Sequence, residues 1–202
     1  MDEIIQKIGT AGIIAILRRQ SRRIIRESLP RLVGAGLRVV EVSRTADEYH
    51  DSFTALRSEF GSQLLIGVGT IRSESDAKEA LDMGAQFLIS PHFNVGLTEF
   101  LLKHHVPYIV GCYTPSEVEA ALQLGPMAVK IFPAFVGGPK YISSLLAPFP
   151  GTRFVPTGGV RPTEAIEYWS AGAWAVALGS EMDTTGEWAE ERLRGLFSKK
   201  AK

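Results

Sequence analysis

Eight short apolar segments recur along the chain, and the distance from the start of one to the next is 20 to 27 residues. They begin near residues 13, 37, 64, 86, 107, 127, 153 and 173. Most are almost continuously aliphatic, which is typical of strands that are buried on both faces of a parallel sheet. A period of this length accommodates one strand and one helix. No other feature of the sequence constrains the fold as strongly.

Amphipathic helical patterns lie between these segments and end near glycine, a frequent helix-terminating residue. The glycines that precede strands in this way are Gly34, Gly84, Gly125 and Gly172. Eight such units predict a single (β/α)8 TIM barrel over residues 1–202. The alternative is an open, doubly wound parallel sheet. A dinucleotide-binding version of that sheet needs G-x-G-x-x-G after the first strand, where this chain has Leu17-Arg18-Arg19-Gln20 instead.

Charge and composition exclude several classes of partner. The 202 residues contain 22 Lys+Arg and 22 Asp+Glu, a neutral balance that argues against general nucleic-acid binding. The sequence contains no stretch of about 18 apolar residues, so no membrane span is predicted, and the amino end lacks a signal-peptide pattern. Cys112 is the one cysteine, so no intrachain disulfide can form. These features predict a cytoplasmic protein.

In a parallel barrel the active site lies where the strands end, and two charged residues stand out there. Lys130 lies within the apolar segment Ala128–Phe132, where burial would lower the pKa of its amine. A neutral amine attacks ketones and forms Schiff bases, although a strand-end lysine can instead extend to solvent. The alternative lysine, Lys140, follows Gly137-Gly138-Pro139 in a predicted loop.

Glu41 is the second unusual residue, because it lies between Val40 and Val42 in the second apolar segment. A buried carboxylate needs a partner or becomes protonated near neutral pH. Lys130 could be that partner across the barrel lumen. The pair is then either a structural ion pair or a catalytic amine with a proton-transferring carboxylate.

Glycines at the ends of the last two strands indicate an anion site. Thr157-Gly158-Gly159 and Gly179-Ser180 end neighbouring strands, and glycine turns allow backbone N–H groups to point at a phosphate. A phosphate site after strands 7 and 8 is common in this fold, although tight turns alone would also explain the glycines. The strand ends offer only Glu41, His92 and Glu181 as potential metal ligands, so no metal is expected.

Five segments in order resemble the 2-keto-3-deoxy-6-phosphogluconate aldolases, also called 4-hydroxy-2-oxoglutarate aldolases. The segments are Val39-Val40-Glu41-Val42, Gly67-Val68-Gly69-Thr70, 84–91 (GAQFLISP), 129–134 (VKIFPA) and 156–160 (PTGGV). The similarity extends from about Ile13 to Ser180. It implies a homotrimeric (β/α)8 barrel and a class I lyase without metal or cofactor, which cleaves the phosphorylated keto acid to pyruvate and glyceraldehyde 3-phosphate.

The same resemblance implies a role for each matching residue. Lys130 corresponds to the Schiff-base lysine, and Glu41 corresponds to the acid/base carboxylate. The other matching positions are Arg18 and Thr70 near the pyruvate carboxylate, Pro91 and Phe132 as pocket walls, Thr157 at the substrate hydroxyls, and Gly158, Gly159, Gly179 and Ser180 around the phosphate.

One position departs from the family pattern. Many members carry a carboxylate-binding arginine four residues after the glutamate, where this chain has Thr45, and Arg44 lies one residue earlier. Both residues are therefore candidates for substrate binding, and the substrate preference stays open among phosphogluconate-type, phosphogalactonate-type and unphosphorylated hydroxyglutarate keto acids. Two further alternatives are an isomerase or synthase that uses Glu41 as a base without a Schiff base, and a non-catalytic trimeric barrel.

Overall fold

The structure is a computed structural model that describes residues 1–19, 21–179 and 194–196. The strands are β1 (Ile13–Leu17), β2 (Val39–Ser43), β3 (Leu65–Gly69), β4 (Leu88–Ile89), β5 (Tyr108–Cys112), β6 (Ala128–Ile131), β7 (Phe154–Pro156) and β8 (Val176–Leu178). The helices are α1 (Asp2–Ala11), α2 (Ser21–Arg23), α3 (Leu29–Ala35), α4 (Tyr49–Phe60), α5 (Glu74–Asp82), α6 (Val95–Lys103), α7 (Pro115–Leu124), α8 (Gly138–Leu146) and α9 (Ala165–Ser170). A π-helical turn, Ile24–Ser28, connects α2 to α3, and short 3-10 turns cover Ala134–Val136 and Pro162–Glu164.

The strands form a parallel barrel in which neighbours in sequence are neighbours in space. β1 pairs with β2 on one side and with β8 on the other. A parallel bridge between Thr157 and Ala177 connects the end of β7 to β8 and completes the circuit. The prediction of a (β/α)8 barrel is therefore confirmed, and the alternative of an open sheet is wrong.

Side chains from the strands enter two separate apolar layers, as alternation along each strand requires. The outer layer packs the strands against the helices and contains residues such as Ile13, Ala15 and Leu17 of β1. The inner layer fills the lumen and contains Ile14 and Ile16 of the same strand. Because both layers are apolar, the strands read as continuous apolar runs rather than as alternating ones.

The end of the lumen at which the strands begin, called the lower end, is closed by α1. The sequence pattern did not predict this helix. Ile8 and Ala11 of α1 belong to the lumen cluster, and Ile4, Ile5 and Trp174 pack against it. The amino-terminal helix therefore forms the floor of the barrel, and the open end is the one at which the strands finish.

Glycines end several helices as expected, with one shift in position. α7 ends at Gly125 in the left-handed conformation (φ 81°), and it begins with a capping box between Thr114 and Glu117. Gly34 lies inside α3 instead, and that helix ends two residues later at Gly36 (φ 118°). Within the described residues, no helix is both long and apolar enough to cross a membrane.

Candidate active site at the carboxyl ends of the strands

Glu41 and Lys130 are buried in the barrel lumen, as the sequence predicts. Among the described residues they are the only charged side chains that are buried, with 1% and 5% of their surface exposed. Glu41 pairs in register with Gly67 of β3, and Lys130 pairs with Gly111 of β5 and Val155 of β7. The two side chains therefore approach the lumen from β2 and β6, on different sides of the barrel.

Glycines on β3 and β5 make room for the Glu41 carboxylate and for the turn after β4. A Cβ atom on Gly69 would overlap the carboxylate of Glu41, so the carboxylate occupies the space that any larger residue would need. A Cβ atom on Gly111 would collide with the backbone of Pro91 and His92 at the end of β4. A larger residue would displace the Glu41 carboxylate at position 69 and the turn after β4 at position 111.

Burial shifts both groups towards their neutral forms. It is the largest cause of the raised pKa of Glu41, which the positive charges of Lys130 and Arg18 oppose. Burial is also the main reason that the pKa of Lys130 is lowered, and Arg18 adds to this effect while Glu41 opposes it. The Oε2 atom of Glu41 is buried without a hydrogen-bond partner. A neutral amine and a carboxyl group with a raised pKa suit nucleophilic attack and proton transfer.

Space separates the amine from the carboxylate. Each group influences the pKa of the other, yet no ion pair within 4.0 Å joins them among the contacts of the described residues. The arrangement is not a closed structural ion pair, which was the alternative reading of these two residues.

Pro91 and Phe132, the predicted pocket walls, lie beside this centre. The Nζ atom of Lys130 is 5.2 Å from the centroid of the Phe132 ring, and Phe132 is 36% exposed. Pro91 is held by its neighbour Ser90, whose hydroxyl donates to the carbonyl of His92 (2.9 Å) and accepts from the N–H of Gly111 (3.1 Å). These contacts fix the turn after β4 against β5.

Arg18, Thr70 and Thr45 lie at the mouth, above Glu41. Leu17 pairs with Val42 in register, so Arg18 follows beside Ser43, a buried residue that the sequence did not single out. The Ser43 hydroxyl contacts the hydroxyls of both Thr45 and Thr70 at 2.9 Å. Ser43 follows Glu41 by two positions on the same strand, and this spacing was the signal that could have identified it.

Arg44 points away from these groups. Its guanidinium binds the carboxylates of Asp76 and Glu79 on α5, which lies outside the barrel. His50 contacts the same Glu79 carboxylate through its Nε2 atom at 2.6 Å and is itself exposed. Thus, of the two residues considered for substrate binding at the family arginine position, only Thr45 joins the groups at the mouth.

The glycines that the sequence predicts at a phosphate site lie at the ends of β7 and β8. Gly158 and Gly159 both have positive φ angles, of 89° and 68°. Within the described residues, the N–H groups of these two glycines donate to no backbone carbonyl, so they can bind an anion. Thr157 is buried, and its hydroxyl donates to the carbonyl of Val155 (3.1 Å). Gly179 lies against Ile16, whereas Ser180 and Glu181 lie outside the described residues.

Other reactive side chains lie in less suitable surroundings. Cys112 is buried, its Sγ atom lies 3.5 Å from the carbonyl oxygen of Glu117, and burial raises the pKa of the thiol to about 12. It is therefore a thiol at neutral pH and a poor nucleophile. Among the described residues, no group of three or more His, Cys, Asp or Glu side chains is arranged to hold a metal ion.

Comparison with known proteins adds a consistent set of relatives. A family model described as KDPG and KHG aldolase matches residues 4–194. The chain is 38% identical over 138 residues to a 2-dehydro-3-deoxy-phosphogluconate aldolase of Treponema pallidum, covering 68% of this chain and 65% of that one, slightly less than two thirds of the relative. It is 35% identical over 162 residues to the KHG/KDPG aldolase of Escherichia coli K12, covering 78% of this chain and 70% of the relative.

A solved structure agrees with the fold. The 2-keto-3-deoxy-6-phosphogluconate aldolase of Zymomonas mobilis, determined with 3-phosphoglycerate, superposes with a TM-score of 0.81. The match covers 98% of this chain and 94% of that one at 23% identity. At this identity the likeness concerns the barrel architecture alone.

Proposed function

This chain belongs to the KDPG and KHG aldolase family, a family of lyases, and from that premise we propose that it is a class I aldolase. It cleaves a 4-hydroxy-2-oxo acid to pyruvate and an aldehyde through a Schiff base on Lys130. One observation carries this proposal: a lysine with a lowered pKa is buried in the lumen with a buried carboxyl group nearby. The proposed substrate is 2-keto-3-deoxy-6-phosphogluconate, with 4-hydroxy-2-oxoglutarate as the second substrate.

The first step is attack of the neutral Lys130 amine on the C2 ketone. The carbinolamine that forms loses its hydroxyl as water, and Glu41 in its protonated form supplies the proton for this loss. Burial raises the pKa of Glu41, which favours the protonated form that this step needs. The resulting iminium ion carries a positive charge next to C3.

The second step breaks the C3–C4 bond. A base removes the proton of the C4 hydroxyl, the bond electrons move to the iminium, and an aldehyde and an enamine of pyruvate result. Glu41, now ionised, accepts that proton either directly or through water. Protonation of C3 and hydrolysis of the imine then release pyruvate and restore the neutral amine. The iminium ion on Lys130 is the electron sink that accepts the electrons of the broken C3–C4 bond.

The distal end of the substrate is bound at β7 and β8. The N–H groups of Gly158 and Gly159 suit a phosphate, and Thr157 lies between them and the lumen, where the hydroxyls of a sugar acid would lie. Binding energy from a remote phosphate can be used to position C2 at the amine. These features favour a phosphorylated keto acid over an unphosphorylated one.

Trapping with borohydride tests this proposal. Reduction in the presence of pyruvate should inactivate the protein and place one reduced pyruvyl group on Lys130, located by peptide mass spectrometry. The matched control is Lys140, an exposed lysine in the first turn of α8, where the structure has a helix instead of the predicted loop. Labelling of Lys140 instead of Lys130 would overturn the assignment of the nucleophile, and no labelling together with no turnover would overturn the proposed function.

A competition assay then identifies the substrate. Pyruvate release from the phosphogluconate-type, phosphogalactonate-type and hydroxyglutarate keto acids can be followed by coupling to lactate dehydrogenase. The ratio of kcat/KM values measures discrimination in the transition state. We expect the highest value for 2-keto-3-deoxy-6-phosphogluconate. The proposed assembly is a homotrimer in the cytoplasm, which light scattering and cell fractionation test.

A further inference from the structure

A buried pair of hydroxyl groups lies behind the turn that follows β4. The hydroxyl of Tyr108 donates to the Oγ atom of Ser90 at 2.5 Å, and both residues are completely buried. Tyr108 belongs to the outer apolar layer, between the strands and the helices. Ser90 follows Ile89, an inward residue of β4, so the alternation along a strand turns Ser90 outward as well. The pair therefore lies outside the lumen and does not contact a ligand that occupies it.

Every hydrogen-bonding position of the Ser90 hydroxyl is occupied. A serine hydroxyl has one proton and two acceptor positions. It accepts from the hydroxyl of Tyr108 and from the N–H of Gly111 (3.1 Å), so its own proton is left for the carbonyl of His92 (2.9 Å). Burial raises the pKa of the Tyr108 phenol to about 12, so this group is a proton donor at neutral pH. Tyr108 therefore helps to set the direction in which Ser90 donates.

The Ser90 side chain replaces a main-chain acceptor at the point where β4 leaves the sheet. The N–H of Ser90 still donates to the carbonyl of Ile109 (3.1 Å), as in a regular parallel ladder. The next N–H of β5, that of Gly111, would then donate to a main-chain carbonyl of β4. It donates to the Ser90 hydroxyl instead. The main chain after Ser90 thus leaves the ladder while the side chain still holds it to β5.

The turn that is held in this way lies on the lumen side of β5, at the level of Lys130. A Cβ atom on Gly111 would collide with the carbonyl group of Pro91 and the N atom of His92, so the peptide group between these residues covers the glycine. Gly111 pairs in register with Lys130, and paired residues of neighbouring strands face the same side. Because neighbouring strands are about 4.8 Å apart, the peptide group lies beside the position that carries the amine.

Packing alone does not require the two hydroxyls. A phenylalanine at position 108 would fill nearly the same volume in the outer layer, without a buried polar group that needs a partner. Hydrogen bonds depend on direction, whereas apolar contacts do not, so a satisfied buried network specifies one arrangement of the backbone. Here the backbone that it specifies is the Pro91–His92 turn beside Lys130.

We propose that Ser90 and Tyr108 are positioning residues for the reaction at Lys130. Ser90 holds the Pro91–His92 turn beside the amine, and Tyr108 fixes the Ser90 hydroxyl. The turn limits where the ketone carbon can lie, which matters because attack needs the reacting atoms to be about 3–3.5 Å apart. This inference rests on the proposed function and goes beyond it, since it assigns a kinetic role to two side chains that lie outside the lumen.

The test separates kcat from KM in Ser90→Ala. Both constants are measured by coupling pyruvate release to lactate dehydrogenase, with the keto acid that has the highest kcat/KM in the competition assay. We expect kcat to fall by about 10²-fold, the effect of a misplacement of about 1 Å. KM should stay within about twofold of the parent value, because a lost alignment in the transition state lowers kcat without weakening substrate binding.

Tyr108→Phe tests whether Tyr108 acts through Ser90. It removes one oxygen atom, keeps the ring, and should lower kcat about fivefold, the effect of losing one neutral hydrogen bond. In the Ser90→Ala background the same change should have no further effect on kcat. Circular dichroism and thermal unfolding establish that each variant is folded. If Ser90→Ala does not fold, Tyr108→Phe decides the question by its own kcat and KM.

Two matched controls remove buried hydroxyls from α4, outside the barrel. Within the described residues the hydroxyl of Tyr49 has no hydrogen-bond partner, and the hydroxyl of Ser52 donates to the carbonyl of Asp47 (3.3 Å). Tyr49→Phe and Ser52→Ala should leave kcat and KM at the parent values. An equal fall of kcat in these controls would show a general sensitivity to lost buried hydroxyls and would overturn the specific role of Ser90 and Tyr108.

The remaining outcomes distinguish this inference from the proposed function. If folded Ser90→Ala and Tyr108→Phe keep the parent kcat, or raise KM without lowering kcat, the positioning role is overturned while the aldolase proposal stands. A full fivefold effect of Tyr108→Phe in the Ser90→Ala background would overturn the action of Tyr108 through Ser90. If the parent protein neither forms a reduced adduct with pyruvate nor cleaves any of the three keto acids, the proposed function fails and the positioning role fails with it.

Discussion

The two ends of the barrel lumen are built from the same strands but from different kinds of residue. At the lower end, inward positions carry large apolar side chains, such as Val39, Leu65 and Ile109, and α1 closes the floor. At the upper end, the inward positions two to four residues further along β2 and β3 carry Glu41, Ser43 and glycine. One end is filled, and the other is open and polar.

This difference separates stability from chemistry within a single strand. Leu65 and Gly69 both point into the lumen from β3, four residues apart. The leucine fills space that would otherwise be a cavity, whereas the glycine leaves the space that the Glu41 carboxylate occupies. Depth in the barrel therefore decides whether an inward residue packs the core or forms the site.

A groove on the lower face shows that volume alone does not make a site. It encloses about 550 Å³ and is lined by polar side chains that include Gln6, Lys7 and Arg38. Arg38 donates to the carbonyls of Val33 and Leu37, and Lys7 pairs with Glu3 at the surface. By contrast, both buried charged side chains of the described residues lie in the upper half of the lumen.

The strongest test of the upper end is Lys130→Met. We expect turnover to fall to the uncatalysed rate because no amine remains to form the Schiff base. The variant should be more stable than the parent near neutral pH, because burial disfavours the charged amine and lowers the pKa of Lys130 from the usual 10.5. The unfolded chain binds more protons than the folded one between the lowered pKa and 10.5, so the parent gains stability as pH rises through that window.

Denaturant unfolding at several pH values measures this effect. Lys130→Met should be more stable than the parent below that window, and its advantage should shrink as the pH approaches 10.5. An advantage that is independent of pH would contradict the assignment of a buried, titrating amine. Circular dichroism provides the control that both proteins have the same secondary structure.

Glu41→Gln should have the next largest effect. Loss of the acid/base group is expected to lower kcat by about 10² to 10⁴, while trapping of pyruvate on Lys130 remains detectable. Because burial raises the pKa of Glu41 from 4.5, the parent should lose stability as pH rises from 4.5 through the raised value, and the glutamine variant should not. A variant with full kcat would exclude Glu41 from proton transfer.

Gly69→Ala tests the space at the upper end of β3. The added methyl group overlaps the Glu41 carboxylate and should displace it. A displacement of about 1 Å in an active site can lower activity about 10²-fold, and overpacking of this kind costs about 1–3 kcal/mol of stability. Steady-state assays and chemical denaturation measure both effects. Unchanged activity would show that the position of Glu41 is not critical.

Leu65→Ala tests the lower end of the same strand. It should reduce the free energy of unfolding by about 2–5 kcal/mol because it leaves a cavity in the lumen core. In the folded fraction, kcat should change by no more than a few-fold, since Glu41 and Lys130 lie in the upper half. A large fall in kcat with little loss of stability would abolish the distinction between the two ends.

Gly34→Ala should have the smallest effect on stability and activity, and it is the control for Gly69→Ala. Gly34 lies inside α3, and beyond its chain neighbours and the backbone of its own helix no atom lies within 4 Å of the added methyl group. The substitution should stabilise the protein by about 0.5–1 kcal/mol, because alanine favours the helix and glycine does not. Thermal unfolding measures the gain, and activity should equal that of the parent. A loss of stability would contradict the open space beside Gly34.

The sequence predicted the positions of all eight strands, although several boundaries differed. The second segment begins at Leu37, whereas β2 covers Val39–Ser43, and the last begins at Ala173, whereas β8 starts at Val176. Strand ends depend on hydrogen bonds to neighbouring strands, which a single segment does not contain. The order of the strands followed from their spacing, because short βα units place neighbours side by side.

The candidate site was predicted only in part. Glu41 and Lys130 were recognisable because a charge in a continuous apolar run is unusual. Ser43 was not, because a serine at a strand end carries no such contrast. The binding of Arg44 to Asp76 and Glu79 was also invisible, since these residues are 32 and 35 positions away in the chain.

By itself, the sequence determined the period of the chain, the parallel order of its strands and the presence of two charged residues in apolar surroundings. These follow from local pattern, since the spacing of apolar residues and glycines decides which segments become strands and helices. Only the tertiary structure decided which face each side chain uses, that Arg44 turns to α5, and that Ser43 joins Thr45 to Thr70. Register, burial and the resulting pKa shifts arise when the barrel closes, because they depend on neighbours that are distant in the chain.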